Sequence, residues 1–114
     1  MLPPLDDKAL AYMREEMRGR GISWLIDLYL REVPNYLNNL KKALIITDGE
    51  KLYLAAHKFK GSSSNLGAQQ VVALCKELEI SARANLFEQA AVQIAQLEEA
   101  LEQLKVALEA EKQK

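Results

Sequence analysis

The sequence predicts an all-α protein, and the spacing of its apolar residues supports this fold class. After the opening prolines, apolar residues recur at three- and four-residue steps through nearly the whole chain, which is the spacing of one helix face. No stretch shows the alternation of apolar and polar residues that a half-buried strand requires. Short connections between neighbouring long helices favour antiparallel packing. We therefore expect an up-down-up-down four-helix bundle with a short N-terminal helix capping one end.

The first predicted helix is short and covers roughly residues 7–18. Asp6 is a candidate N-cap, because a carboxylate just before a helix accepts hydrogen bonds from free backbone N–H groups. The helix should end at Gly19 and Gly21. The side chains that we expect it to bury are Leu10, Met13 and Met17.

The second predicted helix is long, covers roughly residues 23–46 and has Ser23 as its candidate N-cap. Pro34 removes one backbone hydrogen bond and clashes with the preceding turn, so we expect a kink between Leu30 and Pro34. The apolar positions at three- and four-residue steps are Leu25, Leu28, Tyr29, Val33, Tyr36, Leu37, Leu40 and Leu44.

The third predicted helix follows a tight turn at Thr47-Asp48-Gly49 and runs from about Glu50 to Leu66, with Gly67 as its C-terminal stop. A fourth helix covers roughly residues 69–84. Its expected buried residues are Val71, Leu74, Cys75, Leu78 and Ala82, while Lys76, Glu79 and Arg83 share another face.

The last predicted helix follows Asn85, which resembles one half of a capping pair with Glu88. Its apolar stripe consists of Phe87, Ala90, Ile94, Leu97, Leu101, Leu104 and Leu108. A coiled-coil dimer through this helix competes with the intramolecular bundle. The outer residues are polar and the stripe is needed for the core, so we expect a monomer. These outer residues are Glu98, Glu99, Glu102 and Lys105.

Composition limits the classes of function. A chain of 114 residues fits one domain, over residues 1–114, and its 15 basic and 16 acidic residues give no electrostatic case for nucleic-acid binding. The lone Cys75 cannot form an internal disulfide, and we expect it to be a small buried residue in a reducing compartment. No apolar run approaches the ~18 residues that span a bilayer, and the N-terminus lacks signal-peptide features. We therefore expect a cytoplasmic protein without membrane association.

The chain's single histidine, His57, lies in the most informative stretch of the sequence. On a helix it points away from the apolar face. Its exposed strip also includes Tyr53, Lys60, Gly61 and Ser64. Glycine inside a helix costs roughly 0.5–1 kcal/mol relative to alanine, so Gly61 needs a compensating reason. An open surface that admits a phosphate and the backbone of a partner is such a reason.

This stretch resembles the signature of histidine-containing phosphotransfer domains, the HPt modules of multistep phosphorelays. The residues in register are His57, Phe59, Lys60, Gly61, Ser62, Ser63, Gly67 and Ala68. The leading helix, the proline-interrupted second helix and the two amphipathic helices that follow extend the likeness to nearly the whole chain.

The resemblance implies a phosphoryl carrier in which His57 is the nucleophile, through Nε2, and Lys60 offsets charge on the phosphoryl oxygens. Glu79 and Arg83 occupy positions where relatives often have a side chain that hydrogen-bonds the histidine and a second basic residue. Several relatives have glutamine at the first of these positions, so whether Glu79 contacts His57 stays open at this point.

The same resemblance implies that the partners are response-regulator receiver domains or hybrid sensor histidine kinases. Each receiver would present a phosphorylatable aspartate in a Mg²⁺-containing pocket, so the metal would belong to the partner. Tyr53, as an exposed aromatic residue, and Ser64 are the candidates for the partner surface around His57.

Two other functions are consistent with the sequence: a phosphodonor (P1-like) domain of a chemotaxis-type histidine kinase, and a helical adaptor that never carries phosphate. No glycine-rich phosphate loop is present, so we expect neither an ATP site nor kinase activity. One histidine and one cysteine on different helices do not make a metal site. An adaptor, unlike a relay protein, would tolerate His57→Ala.

Overall fold

The computed structural model describes residues 2–16 and 21–114, and within these ranges the regular elements are helices. They are α1 (Asp7–Glu16), α2 (Ile22–Ile45), α3 (Gly49–Asn65), α4 (Gln69–Arg83) and α5 (Phe87–Lys112). No strand occurs in the described ranges, and the predicted all-α class is confirmed. None of these helices combines the length and apolarity needed to cross a bilayer.

Helices α2 to α5 form a closed bundle, in which each helix packs against the next and α5 packs against α2. Ion pairs across α2 and α5 give their relative direction. Asp27, near the start of α2, binds Lys112 at the end of α5, whereas Lys41 near the end of α2 binds Glu98. The two helices are therefore antiparallel, and the same reversal relates α3 to α4 at the site described below.

The short helix α1 covers one end of the bundle, as predicted. The Asp6 N–H donates to the Gly67 carbonyl oxygen at 2.8 Å, in the connection between α3 and α4. Arg14 pairs with Glu111 at the C-terminal end of α5 at 2.6 Å. Leu10 is buried between these two contacts. Met17, which was expected to be buried, and the predicted stop at Gly19 lie outside the described residues.

The core consists of apolar side chains from all the described helices. Its largest fully buried members are Phe59, Ile26, Leu40, Leu52, Leu66, Leu78, Leu97, Leu104 and Leu108. Phe59 stacks on Tyr36 with ring centroids 4.7 Å apart. His57 lies two residues before Phe59 on α3, a rotation of roughly 200°, so burial of Phe59 turns the histidine toward solvent.

The start of α2 differs from the prediction. Gly21 is the N-cap residue, with φ of 76°, and no side chain caps the helix. The prediction that Ser23 is the N-cap is wrong, because α2 begins at Ile22 and Ser23 lies within its first turn. Pro34 lies inside an uninterrupted α2, so it does not end the helix, and the kink beside it stays a prediction.

The connections on either side of α4 depend on left-handed backbone. Gly67, with φ of 68°, ends α3 as predicted. Asn85, with φ of 55°, ends α4, and its N–H donates to the Ala82 carbonyl oxygen at 3.2 Å. The predicted capping pair of Asn85 and Glu88 is therefore wrong: Leu86 is the N-cap residue of α5, without a side-chain cap. Asparagine tolerates left-handed backbone, so the same residue type that caps helix starts can also end them.

Candidate functional site

The site lies on the outer surface of the α3–α4 pair. The side chain of Asp48 caps α3 by accepting a hydrogen bond from the Lys51 N–H at 3.0 Å, which fixes where the helix begins. His57 lies two turns further along α3 with its side chain 56% exposed. Because α3 and α4 are antiparallel, residues four apart on α3 face residues four apart on α4.

Glu79 of α4 connects the two basic side chains of this surface. Its Oε2 lies 2.7 Å from His57 Nδ1, and its Oε1 accepts a hydrogen bond from Lys60 Nζ at 2.8 Å. The Glu79 side chain is only 12% exposed. Burial alone would raise the pKa of this carboxyl, but the hydrogen bonds from Lys60 and His57 outweigh it and hold the pKa below its ordinary value. Glu79 is therefore an ionised acceptor at neutral pH.

The ionised carboxylate determines which nitrogen of His57 is available. A carboxylate without a proton can only accept, so the proton shared in this bond is on Nδ1. In neutral imidazole the other nitrogen, Nε2, then carries the lone pair. Among the described residues no hydrogen bond to Nε2 occurs. The site thus presents a nucleophilic nitrogen on a largely exposed ring.

Tyr53 and Arg83 form the second pair across the two helices. The Tyr53 ring is stacked on the His57 imidazole, with centroids 5.8 Å apart and planes inclined by 13°. The Arg83 guanidinium lies over the same Tyr53 ring, with Cζ 4.1 Å from its centroid. Tyr53 was expected to be exposed, but these contacts leave it half-buried. Arg83 itself is exposed.

The surface one turn beyond His57 is open. A Cβ atom added to Gly61 would meet no atom within 4 Å, and the residue is exposed. Ser64, on the following turn, is exposed too. Ser63 instead points inward, where its hydroxyl shares a buried hydrogen bond of 2.8 Å with Tyr29. Room for an incoming group therefore exists beside His57 but not on the Ser63 side.

Cys75 lies one turn before Glu79 on α4 and is fully buried, as predicted. Burial raises the pKa of its thiol to about 12, and the nearby Glu79 carboxylate adds to this effect. The thiol is therefore protonated and packs as a small apolar side chain. Across residues 2–16 and 21–114, no group of three histidine, cysteine or acidic side chains could hold a metal ion.

Two contacts of the site were missed in the sequence. Lys60 was expected to face a phosphoryl group, but its ammonium is bound to Glu79. The contact of Arg83 with Tyr53 was missed as well. One signal was available: Tyr53 and His57 are four residues apart on α3, as are Glu79 and Arg83 on α4. Antiparallel packing of these helices aligns the two pairs.

Comparison with known proteins identifies a family and a similar solved structure. The Hpt domain family matches residues 25–107. The crystal structure of histidine-containing phosphotransfer protein B (HptB) from Pseudomonas aeruginosa PAO1 superposes with a TM-score of 0.91. It has 35% sequence identity, and the match covers 99% of this chain and 97% of that one. No curated protein matches the sequence.

Proposed function

We propose that His57 carries the phosphoryl group in this chain, which belongs to the Hpt domain family and is a histidine phosphotransfer protein of a phosphorelay. In this proposal His57 accepts the group from the aspartate of one receiver domain and passes it to another. The chain is a carrier, and we propose that it has no ATP site of its own.

The observation that carries this proposal is the 2.7 Å contact between His57 Nδ1 and the Glu79 carboxylate. The contact selects the tautomer with a free lone pair on Nε2 and orients the exposed ring. It acts on the chain's only histidine, beside the open surface at Gly61. An adaptor would have no need for a largely buried, ionised carboxylate that orients an exposed imidazole.

The residues account for the chemical step. The Nε2 lone pair attacks the phosphorus of the receiver's aspartyl phosphate, the N–P bond forms, and the P–O bond to the aspartate breaks. The aspartate leaves as a carboxylate with the bonding electron pair. The Nδ1 proton stays in place, so the imidazole becomes positively charged beside Glu79. The Glu79 carboxylate stabilises that charge, and transfer to a second receiver is the reverse sequence.

The partners that we propose are receiver domains and hybrid sensor kinases, with Mg²⁺ held in the acidic pocket of the receiver. Contact around His57 needs to be small and short-lived, since a relay intermediate must be released. We propose that the protein works as a monomer in the cytoplasm. The polar outer face of α5 supports the monomer, because Glu98, Glu102 and Lys105 are exposed there.

The test is incubation of the protein with a phosphorylated receiver domain, followed by measurement of acid-labile, alkali-stable phosphate on the chain. We expect label on the wild type and none on His57→Gln. Glu99→Gln, an exposed change on α5, is the matched control and should be labelled like the wild type. Labelling only by an ATP-supplied kinase core would identify a kinase phosphodonor domain, and no labelling by either route would contradict the proposal.

A further inference from the structure

We propose that Tyr53 is a positioning residue of the phosphotransfer site. Its ring holds the His57 imidazole in the orientation that presents Nε2, and it holds Arg83 beside that imidazole. This inference rests on the proposed function of His57. It gives Tyr53 a role inside the chain, in place of the partner contact that the sequence indicated.

The first part of the proposal follows from the two contacts of the His57 ring. The 2.7 Å bond from Nδ1 to Glu79 fixes one atom of the imidazole. The Cβ–Cγ bond and this one hydrogen bond still allow the ring to tilt through small changes of its side-chain torsions. The Tyr53 ring, inclined by only 13° to the imidazole with its centroid 5.8 Å away, lies beside it in an offset stack and limits that tilt. The two contacts together fix the direction in which Nε2 points.

The second part concerns the cations around His57. Lys60 lies within reach, but its ammonium is bound to Glu79 at 2.8 Å. Arg83 is exposed, and its guanidinium lies on the face of Tyr53. An exposed cation–π contact is weaker than a charge-assisted hydrogen bond to phosphate. Tyr53 therefore keeps Arg83 next to the histidine and releases it to the phosphoryl oxygens once the N–P bond has formed.

The first experiment is ¹⁵N NMR of the imidazole, at a pH where it is neutral, in the wild type, Tyr53→Ala and Tyr53→Phe. The signal is unambiguous because His57 is the only histidine. We expect the Nδ1–H tautomer to dominate in the wild type and Tyr53→Phe, and Tyr53→Ala to show a mixture. A role limited to packing between α3 and α4 would lower stability without moving this population. A folded Tyr53→Ala with the wild-type tautomer would overturn the proposal.

The second experiment measures phosphorylation by phosphoramidate, a small donor that needs no docking surface. The Nε2–P bond forms as the P–N bond of phosphoramidate breaks and ammonia leaves. We expect Tyr53→Ala to slow this reaction about fivefold to tenfold, and Tyr53→Phe to recover the rate to within about twofold. Leu54→Ala, the neighbouring exposed position on α3, is the control and should react at the wild-type rate.

Two results of this experiment separate the proposal from its premise. If Tyr53→Ala slows transfer only from a receiver and leaves the phosphoramidate rate unchanged, Tyr53 is a partner contact and the proposal is wrong. If the wild type takes no phosphoryl group from either donor, the proposed function fails. The tautomer measurement then decides whether Tyr53 still orients His57.

A third measurement tests the Arg83 part. Arg83→Gln and the double variant with Tyr53→Ala are compared in the phosphoramidate reaction. If Tyr53 acts partly through Arg83, the double variant reacts at a rate within about twofold of the slower single variant. Fold-losses that multiply would show that the two residues act independently, which would overturn this part.

Discussion

Two glycines of α3 lie in opposite surroundings. At Gly49, the first residue of the helix, an added Cβ would lie 2.6 Å from the Ala82 carbonyl oxygen, so α3 and the end of α4 approach too closely for any other residue. At Gly61, one turn after His57, an added Cβ would meet nothing within 4 Å. Packing within the chain explains the first glycine and leaves the second unexplained. The difference separates a residue required by the fold from one required by what approaches the fold.

The largest effect expected from this comparison is at Gly49. In Gly49→Ala the new methyl group collides with a backbone carbonyl, which cannot move aside like a flexible side chain. We expect the free energy of unfolding to fall by about 2–3 kcal/mol, within the range for overpacked sites. Urea denaturation measures it. An unchanged midpoint would mean that α3 and the end of α4 are far enough apart at Gly49 to accept a methyl group.

The next largest effect on stability is expected at the Glu79 carboxylate, which is compared below with the exposed Glu98 carboxylate. We expect Glu79→Gln to lower the free energy of unfolding by about 1–2 kcal/mol at pH 7, because two charge-assisted hydrogen bonds are weakened in a largely buried position. The folded-state pKa of Glu79 lies below its ordinary value of 4.5. Its contribution is therefore fully present above pH 4.5 and is lost as the pH falls through the folded-state pKa.

Urea denaturation of the wild type and Glu79→Gln at pH 7 and at pH 3 tests this dependence. The gap between the two proteins should shrink at the lower pH. Glu111→Gln provides a second carboxyl for reference, since hydrogen bonds from Lys114 and Arg14 also lower the pKa of Glu111. A gap at Glu79 that is the same at both pH values would contradict the charge-based explanation.

Gly61 should respond in the opposite direction to Gly49. We expect Gly61→Ala to raise the free energy of unfolding by roughly 0.5–1 kcal/mol, because alanine favours helix and meets no obstacle. Gly61→Leu, which fills the open space beside His57, should slow transfer from a receiver by about tenfold or more. Denaturation and transfer assays on both variants test the pair. A lower free energy of unfolding for Gly61→Ala would mean that packing within the chain requires Gly61 as it requires Gly49.

The smallest effect is expected at the exposed ion pair between α2 and α5. Lys41 and Glu98 form a 3.0 Å contact, with side chains 48% and 45% exposed. Water screens such pairs, so Glu98→Gln should change the free energy of unfolding by less than about 0.5 kcal/mol. A loss as large as that of Glu79→Gln would mean that burial does not distinguish the two carboxylates.

Much of the fold could be predicted from the sequence, because apolar spacing records which face of each helix is buried. The bounds of α3 and α4 fall within a residue of those expected. Helix ends were less predictable at Ser23 and Asn85, since capping residue types fit several backbone conformations. The backbone conformation decides both cases. Gly21, with its positive φ, is the N-cap of α2 in place of Ser23, and Asn85, with its positive φ, ends α4.

The site was predictable in part. The position of His57 on an exposed strip follows from helical periodicity, and the resemblance of its surroundings to a known signature indicated Glu79 and Arg83. The partners of Lys60 and Arg83 were not predictable, because several rotamers are accessible to long flexible side chains. The rotamer that each adopts depends on its partner, Glu79 for Lys60 and Tyr53 for Arg83. Each pair comes together only when α3 packs against α4.

Identification of the phosphorylated atom is the most direct test of His57 as the phosphoryl carrier. Two-dimensional ³¹P and ¹⁵N NMR of the phosphorylated, ¹⁵N-labelled protein distinguishes phosphorus bonded to Nε2 from phosphorus bonded to Nδ1. We predict an Nε2–P bond on His57, with Nδ1 still protonated toward Glu79. Phosphorus on Nδ1, or on any other residue, would contradict it.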